Sequence, residues 1–246
     1  MEWRERDGVR WLDAELPGAR AAFSTRIGGV SDPPYEALNV AILTGDEHES
    51  VRRNRARLAE ALEREAEGVV MGRQVHGTEL RRHDGRQEPQ VYADVVRSPD
   101  EVDAHSTSSP ELTPLVMVAD CLPVALTGPG GVAMAHCGWR GLAGGIVAEA
   151  AGAVEAEAAA VGPGIGPCCY EVGEEVLSQF AALEGVARGR MLDLTAIATT
   201  LLERAGVSSV EPSGLCTSCN PELFYSHRRD GERTGRQAGL VWVDGG

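Results

Sequence analysis

Two reactive side chains follow neighbouring apolar runs in the stretch VMVADCLPVALTGPGGVAMAHCGWRGLAGG, residues 116–145. Cys121 comes directly after one run and His136 ends another, and each lies beside a proline or glycine turn. A rigid strand end presents its side chain to a cleft, so the pattern indicates a site. The thiol and the imidazole could form a nucleophile pair, ligate a metal or simply pack in the core.

His76 provides a third candidate, because it ends the predicted strand GVVMGRQVHG before a glycine. With Cys121 and His136 it forms a His2Cys donor set, which fills three zinc positions and leaves the fourth for water or substrate. The spacings of 45 and 15 residues are far from the compact CxxC pattern of structural zinc sites. The alternative is a Cys121 thiolate activated by one of the histidines. The residue pattern leaves both interpretations open.

Charged residues flank these three candidates. Asp120 adjoins Cys121 and is either a site residue or a turn residue. Arg140 follows His136 by four positions in GWRG, and Arg26 lies in STR before a double glycine. Arginine in a glycine-flanked loop suits bidentate recognition of phosphate or carboxylate. For any single arginine, a surface salt bridge is the commoner role.

Four further cysteines lie near the C-terminal third of the chain. Cys168 and Cys169 are adjacent within VGPGIGPCCYEVG, and Cys216 and Cys219 form the CTSC stretch. These four could form a second zinc site, but adjacent cysteines rarely ligate one metal together, which disfavours it. The Gly/Pro loop could bind an anion through its backbone N–H groups. It lacks the Walker and GxGxxG patterns, so it gives only a weak nucleotide signal.

The composition excludes several classes of function. The net charge of −14 argues against binding nucleic acid or anionic membranes, so an anionic substrate needs a local cluster of positive groups. All 23 basic residues are arginine, which excludes Schiff-base chemistry and a P-loop lysine. The charged start MEWRERDGVRWLDAELPG and the lack of a long apolar run predict neither a signal peptide nor a membrane span. We therefore expect a cytoplasmic location.

Hydrophobic patterning predicts alternating strands and helices after an early β portion. Strands are expected at residues 20–26, 68–77, 158–163 and 239–243, with three more in 114–136 and a GPGG hairpin turn between the last two. Helices are expected at residues 48–68, 142–158, 173–183 and 193–206, the last capped by Asp193. The result is a mixed α/β domain whose topology the pattern does not give.

Several motifs resemble one known family, in the order STRIGGVS, GRQVHG, VADCLPV, AHCGWRGL, GPGIGPCCYEVG and HRRDGERTGRQAGL. From about residue 20 to 243, the chain is similar to the YfiH, or multicopper polyphenol oxidase (laccase) domain, family, to which the human protein FAMIN is related. The resemblance implies one α/β domain over residues 1–246, of the YfiH-like (Cys-His hydrolase-like) type, with a mixed sheet and flanking helices. It also implies a zinc or copper site made by His76, Cys121 and His136.

The resemblance further implies phosphorolysis of adenosine, inosine, guanosine and methylthioadenosine, with adenosine deamination at the same site. Besides the three metal ligands, it points to Asp120 and Arg140 as catalytic residues. Phosphate, held by Arg26 and Arg140, would attack ribose C1′, and water activated by zinc would attack purine C6. Asn39 and Gln74 are the expected polar contacts to substrate. The expected partners are nucleosides and phosphate, and the chain is expected to be a monomer or a weak homodimer.

The polyphenol-oxidase name fits these residues poorly, because a multicopper oxidase needs many histidines and this chain has six, scattered along its length. Two segments also depart from the family pattern. HCGWRG replaces HAGWRG and adds Cys137, and the lengthened segment VDAHSTSSPELTP makes His105 a competing ligand and puts the contacts around Asp103 in question. Because a related fold serves Cys-His deamidase toxins, the alternative function is an amide or peptide hydrolase that acts through Cys121 and His136 on cell-wall precursors or proteins.

Overall fold

The chain folds into two stacked sheets with helices on their outer faces. A computed structural model describes residues 1–87, 90–94 and 100–244. The strands are β1 (Glu2–Arg6), β2 (Val9–Leu16), β3 (Ala19–Ser24), β4 (Val69–Val70), β5 (Leu80–His83), β6 (Ala104–Thr107), β7 (Thr113–Val118), β8 (Leu122–Gly128), β9 (Gly131–Cys137), β10 (Ala158–Val161), β11 (Ala187–Arg188), β12 (Met191–Leu192), β13 (Ser209–Pro212) and β14 (Gln237–Val243). The helices are α1 (His48–Ala61), α2 (Trp139–Gly144), α3 (Ile146–Val154), α4 (Glu174–Leu177), α5 (Leu194–Arg204) and α6 (His227–Asp230).

Both large sheets are mixed. The first has the strand order β1-β2-β3-β14-β7-β4, and the second has the order β13-β10-β8-β9-β6-β5. Pairing is antiparallel except at β4/β7, β5/β6 and β10/β13, which are parallel. Strands β11 and β12 form a separate small hairpin. The predicted α/β fold with mixed sheets and flanking helices is confirmed.

Side chains alternate along the central strands between two buried layers. In β8, Val124 and Leu126 face the helices, whereas Ala125 between them faces the other sheet. This is the two-residue period of a strand buried on both faces. Helix α1 covers the outer face of the first sheet, where Leu58 and Trp242 belong to one cluster. The core of both sheets is mainly aliphatic, with a few aromatic side chains such as Phe23.

The β8–β9 hairpin brings two of the candidate residues together. Its two-residue turn, Pro129 and Gly130, joins strands whose register pairs Leu122 with Cys137. Cys121 directly precedes β8, and His136 is the second-last residue of β9, so both lie at the open end of the hairpin. The GPGG turn predicted from sequence is confirmed and sets this register.

Four predicted elements differ from the observed ones. The helix expected over 173–183 is only the four-residue α4, followed by a short 3-10 turn at Ser178–Phe180. The helix expected over 142–158 is divided into α2 and α3, because Gly145 between them has φ +98°. The strand expected over 68–77 is only the two-residue β4, and the helix expected over 48–68 ends at Ala61. Within the described residues, no helix combines the length and the apolar character that a membrane span needs.

Candidate metal centre

His76, Cys121 and His136 converge from three different parts of the fold. His76 lies in the loop after β4, Cys121 in the turn between β7 and β8, and His136 in β9. Their ligand atoms all lie within 4.8 Å of one another. The two imidazoles meet edge to face, with ring centroids 4.9 Å apart. His136 is buried and His76 is exposed, so the cluster is open to solvent on one side.

Asp103 orients two of the three residues. Its Oδ1 lies 2.8 Å from His136 Nδ1 and accepts the backbone N–H of His76 at 3.0 Å. Its Oδ2 accepts the backbone N–H groups of Val75 and Gly77 at 3.0 and 2.9 Å. A carboxylate on Nδ1 leaves Nε2 as the His136 nitrogen available to a metal, the arrangement seen behind metal-binding histidines generally.

The local charges favour a thiolate. Burial by itself would raise the pKa of Cys121, but the charge of His136 and hydrogen bonds from His136 and His76 lower it to about 6. Burial would also lower the pKa of His136, but the Cys121 charge and the Asp103 hydrogen bond raise it to about 9. Burial opposes ionisation of Asp103, yet its hydrogen bonds from His136 and the backbone hold its pKa at about 2. A deprotonated thiol is the form that binds a metal or attacks an electrophile.

The donor set and the glycine packed against it suit a metal ion. A Cβ at Gly138 would come within 2.9 Å of both Cys121 Sγ and His76 Cδ2, so only glycine fits at this position. One thiolate and two imidazoles are ligands suited to zinc or copper. The donor chemistry and the cradle therefore agree with the metal implied by the sequence motifs.

A cavity of about 660 Å³ lies over the cluster. Its volume is in the range of small-molecule sites. The positively charged lining consists of Arg55, Arg73, Arg140, Arg228 and Arg236. An apolar part of the wall contains Ile42, Leu43, Met71, Met117 and Val118. This concentration of arginine in a chain of net charge −14 favours a ligand with an anionic part and a flat apolar part.

The arginines of the cavity lining differ in how many of their N–H groups are already engaged by contacts within the protein. Arg140 is exposed, and its guanidinium carbon lies 4.3 Å from the centroid of the Trp139 ring. Arg228 donates to the Glu171 carbonyl at 2.7 Å and lies over Tyr170. Burial lowers the pKa of Arg236, and the charges of Cys121 and Asp120 offset this only in part. Arg140 therefore has the guanidinium freest to meet a ligand.

Asp120 and Gln74 line the cavity, but their polar groups also hold its walls together. Asp120 lies in a turn at φ +93°, and its carboxylate accepts the Thr217 hydroxyl at 2.6 Å and the Arg228 backbone N–H at 2.7 Å. The Gln74 amide bonds both backbone groups of Met117, at 2.5 and 3.0 Å. Both residues fix the positions of neighbouring side chains in the cavity.

Arg26 and Asn39 lie outside the cavity lining. Arg26 donates to the carbonyls of Glu36 and Pro221 at 2.7 and 3.0 Å, and it lies over the Tyr225 ring. Asn39 is fully buried; its amide donates to three oxygens of the 41–46 turn, and its oxygen accepts the Arg236 backbone N–H at 2.9 Å. The contacts of both side chains position loops behind the cavity.

His105 and Cys137 are placed away from the donor cluster. The His105 Nδ1 atom lies 3.0 Å from His83 Nε2 in a buried pair. Cys137 is buried in the core on the helix side of the second sheet. The structure thus brings His76, Cys121 and His136 together without His105.

Four residues near the cluster were not predicted as site residues from the sequence: Asp103, Tyr170, Arg228 and Arg236. Tyr170 follows the adjacent cysteines in CCYEVG, and the two arginines lie in HRRDGERTGRQAGL. The signal available was their presence inside the quoted motifs. Their spatial relation to Cys121 depends on tertiary packing, which for Arg228 spans more than 100 residues of chain, as the bond between Asp120 and Arg228 shows.

Comparison with known proteins finds matches over nearly the whole chain. The sequence profile described as multi-copper polyphenol oxidoreductase laccase matches residues 20–244. Purine nucleoside phosphorylase YfiH from Escherichia coli is 37% identical over 240 residues, covering 92% of this chain and 94% of that protein. A purine nucleoside phosphorylase from Deinococcus radiodurans is 38% identical over 250 residues, covering 95% and 93%. The crystal structure of YlmD from Geobacillus stearothermophilus has a TM-score of 0.90 at 32% identity and 98% coverage of each chain.

Proposed function

The chain belongs to the multi-copper polyphenol oxidoreductase laccase family, and on this premise we propose that it is a zinc-dependent purine nucleoside phosphorylase that also deaminates adenosine. The proposed substrates are adenosine, inosine, guanosine and methylthioadenosine, with inorganic phosphate as co-substrate. The observation that carries the proposal is the His2Cys cluster at the base of an arginine-lined cavity. Relatives named purine nucleoside phosphorylase, 37% and 38% identical over more than nine-tenths of the chain, support it.

The cavity lining accounts for the two parts of the reaction. In phosphorolysis a phosphate oxygen forms a bond to ribose C1′, the bond from C1′ to the base breaks, and the base leaves with a proton. Arg140 and Arg228 hold phosphate and offset its charge. The apolar wall around Met117 receives the purine. Tyr170 lines the cavity, and its phenol, whose pKa burial raises to about 12, is available as a hydrogen-bond donor to substrate.

His76, Cys121 and His136 would hold the zinc ion. When bound there, zinc supplies Lewis acidity and lowers the pKa of its bound water. Asp103 keeps the His136 proton on Nδ1 and so keeps Nε2 available. Gly138, which has no side chain, lets Cys121 and His76 lie against the chain at this point.

The two alternatives fit the site less well. Only two of the six histidines, all in the described residues, belong to the cluster, whereas a multicopper oxidase needs many histidine ligands. A Cys-His hydrolase needs only the thiolate and imidazolium pair of Cys121 and His136, which this structure has. In that mechanism His76 would only orient the pair or stabilise the Cys121 thiolate, whereas a metal uses all three side chains as ligands. Covalent trapping of Cys121 by an electrophilic amide analogue would support the hydrolase instead.

Phosphate-dependent release of free base is the direct test of the function. We expect the purified protein to convert inosine and phosphate to hypoxanthine and ribose 1-phosphate, and to release ammonia from adenosine without phosphate. Chromatography of the bases and a coupled ammonia assay measure both reactions. No base with phosphate and no ammonia without it would refute the proposal. Omitting phosphate from the inosine reaction is the matched control.

Replacing Asp103 by asparagine is expected to lower zinc affinity by roughly 10–100-fold, the range typical of residues that orient a ligand. The asparagine side chain has two possible orientations. In one, its NH2 group faces backbone N–H groups, which are donors too; in the other, it donates to His136 Nδ1. The latter favours the tautomer with its proton on Nε2, which cannot bind the metal. Competition titration with a zinc chelator gives the affinity.

The matched control for Asp103→Asn is Asp100→Asn. Asp100 is exposed, and its carboxylate pairs with Arg81 at 2.6 Å on the surface. We expect this control to keep wild-type affinity. Equal zinc affinity in Asp103→Asn and wild type would show that Asp103 does not orient the ligand.

A further inference from the structure

Four cysteines form a second cluster that shares no residue with the His76 site. Cys168 and Cys169 lie in the loop between β10 and α4, and Cys216 and Cys219 lie in the loop between β13 and α6. Their four sulfur atoms all lie within 4.8 Å of one another. Cys168 and Cys219 are exposed, and the other two are partly buried. The topology has therefore brought together two pairs of thiols from distant parts of the chain, which is unusual for cysteines without a shared role.

The sulfur spacing suits a tetrahedral ion. Zinc–sulfur bonds of about 2.3 Å place the sulfurs of a tetrahedral site about 3.8 Å apart. Cys219 Sγ lies 3.4 Å from the Sγ atoms of both Cys168 and Cys169. With the upper limit of 4.8 Å for the set, the observed distances bracket the tetrahedral value.

Backbone geometry around the cluster also suits thiolate ligands. The Gly166 N–H donates to Cys216 Sγ at 3.2 Å, a contact that stabilises a charged sulfur. A Cβ at Gly166 would come within 3.3 Å of Cys168 Sγ and 3.5 Å of Cys216 Sγ, so the glycine keeps the sulfurs close. Cys216 and Cys219 have the CxxC spacing of zinc-binding turns.

The adjacent cysteines, which made this site unfavourable from sequence, are accommodated by a tight turn. The N–H groups of Cys169 and Tyr170 both donate to the Gly166 carbonyl, at 3.0 and 3.1 Å. This turn directs both thiols to the same Cys219 sulfur. The expected obstacle to a shared ion is therefore removed by the local backbone.

The cluster joins a loop that lines the cavity to a loop that lies behind its wall. Tyr170, next to Cys169, lines the cavity. Thr217, between the other two cysteines, donates to Asp120 at 2.6 Å. The Arg229 side chain donates to the Thr217 carbonyl at 2.9 Å and holds the same loop from the other side. An ion bound by all four sulfurs would fix both loops at once.

We propose that Cys168, Cys169, Cys216 and Cys219 bind a structural zinc ion. Four protein thiolates complete the coordination and leave no position for water or substrate, in contrast to the three donors of the His76 site. The ion cross-links the loops that carry Tyr170 and Thr217. This site is independent of the proposed nucleoside chemistry, because its ligands are separate.

Zinc stoichiometry tests the site. The protein, kept reduced, saturated with zinc and then dialysed, is expected to hold two zinc ions per chain by elemental analysis. Cys219→Ser, a change at an exposed residue, is expected to reduce this to one. Cys137→Ala, which removes a cysteine outside both clusters, is expected to leave it at two. One zinc in the wild type that persists in Cys219→Ser would overturn the proposal.

Cobalt(II) provides a readout on the unaltered protein. Four thiolates give a stronger sulfur-to-cobalt charge-transfer band than the one thiolate of the His76 site. We expect an intense band in the wild type and in His76→Ala, and a weak band in Cys219→Ser. A weak band in the reduced wild type, or a Cys168–Cys219 disulfide peptide recovered from it, would contradict the proposal.

Discussion

Alanine in place of His76 is expected to lower the phosphorolysis rate by at least about 10³-fold, or roughly 4 kcal/mol of transition-state stabilisation. Two donors, Cys121 and His136, remain, and they hold zinc too weakly to keep it through dialysis. The fold should persist, because the His76 side chain is exposed and its backbone N–H still bonds Asp103. The measurements are zinc content and kcat/KM for inosine at saturating phosphate.

Two further variants separate metal loss from backbone strain. His76 has φ +61°, a conformation that glycine adopts more easily than alanine. His76→Gly should therefore lose the zinc ion of the His76 site, as a fall from two zinc ions per chain to one, and lose activity like His76→Ala while unfolding at an equal or higher temperature. Val75→Ala, on the neighbouring exposed residue, should keep both zinc and activity. A His76→Ala protein that loses the zinc ion of this site yet retains phosphorolysis would show that this metal is not required.

The sequence predicted best those elements whose pattern is local. The three apolar runs of residues 114–136 became β7, β8 and β9, since strands buried on both faces are almost continuously apolar. Asp193 was predicted to cap α5, and its carboxylate accepts the Ala196 N–H at 2.9 Å. Each of these features depends on residues within a few positions of one another.

Prediction was less successful where a side chain replaces backbone pairing. Residues 68–77 have the composition of a strand, but pairing beyond β4 does not continue to Gln74. On this edge of β7, the Gln74 side-chain amide bonds both the N–H and the carbonyl of Met117. A side chain thus takes the place of a neighbouring backbone strand. Strand β1, with the sequence EWRER, gives no apolar signal, because all of its residues are exposed and all but the tryptophan are charged.

Local sequence patterns also could not predict which residues line the cavity. Spacing and motifs selected His76, Cys121 and His136, and the fold brings their ligand atoms within 4.8 Å. Arg26 and Arg140 looked alike in the sequence, since both lie near glycines. Only tertiary structure separates them: Arg26 is bound to two carbonyls outside the cavity lining, and Arg140 faces the cavity.

Arg140→Ala is expected to raise the KM for phosphate by roughly 10–100-fold, with a smaller change in kcat. A charge-assisted hydrogen bond contributes about 1.5–3 kcal/mol, and each 1.4 kcal/mol is a factor of ten. The lower end applies if solvent screens this exposed guanidinium. The change leaves the core intact, so the melting temperature should stay near that of the wild type. Initial rates at varied phosphate, with inosine saturating, give both constants.

The matched control is Arg188→Ala, which removes an exposed arginine of β11 that is not among the residues lining the cavity. It changes the net charge by the same amount, so it isolates the position of Arg140 from the overall field. A phosphate KM that rises equally in both variants would mean that phosphate responds only to net charge. A KM unchanged in Arg140→Ala would exclude this residue. Phosphate binding would then be assigned to Arg228 or Arg236, which also line the cavity and whose guanidinium groups are bonded to backbone carbonyls. Since those two arginines are held by carbonyl groups, they would bind phosphate in a fixed geometry, and raising the salt concentration would then weaken phosphate binding less than it does at an exposed Arg140.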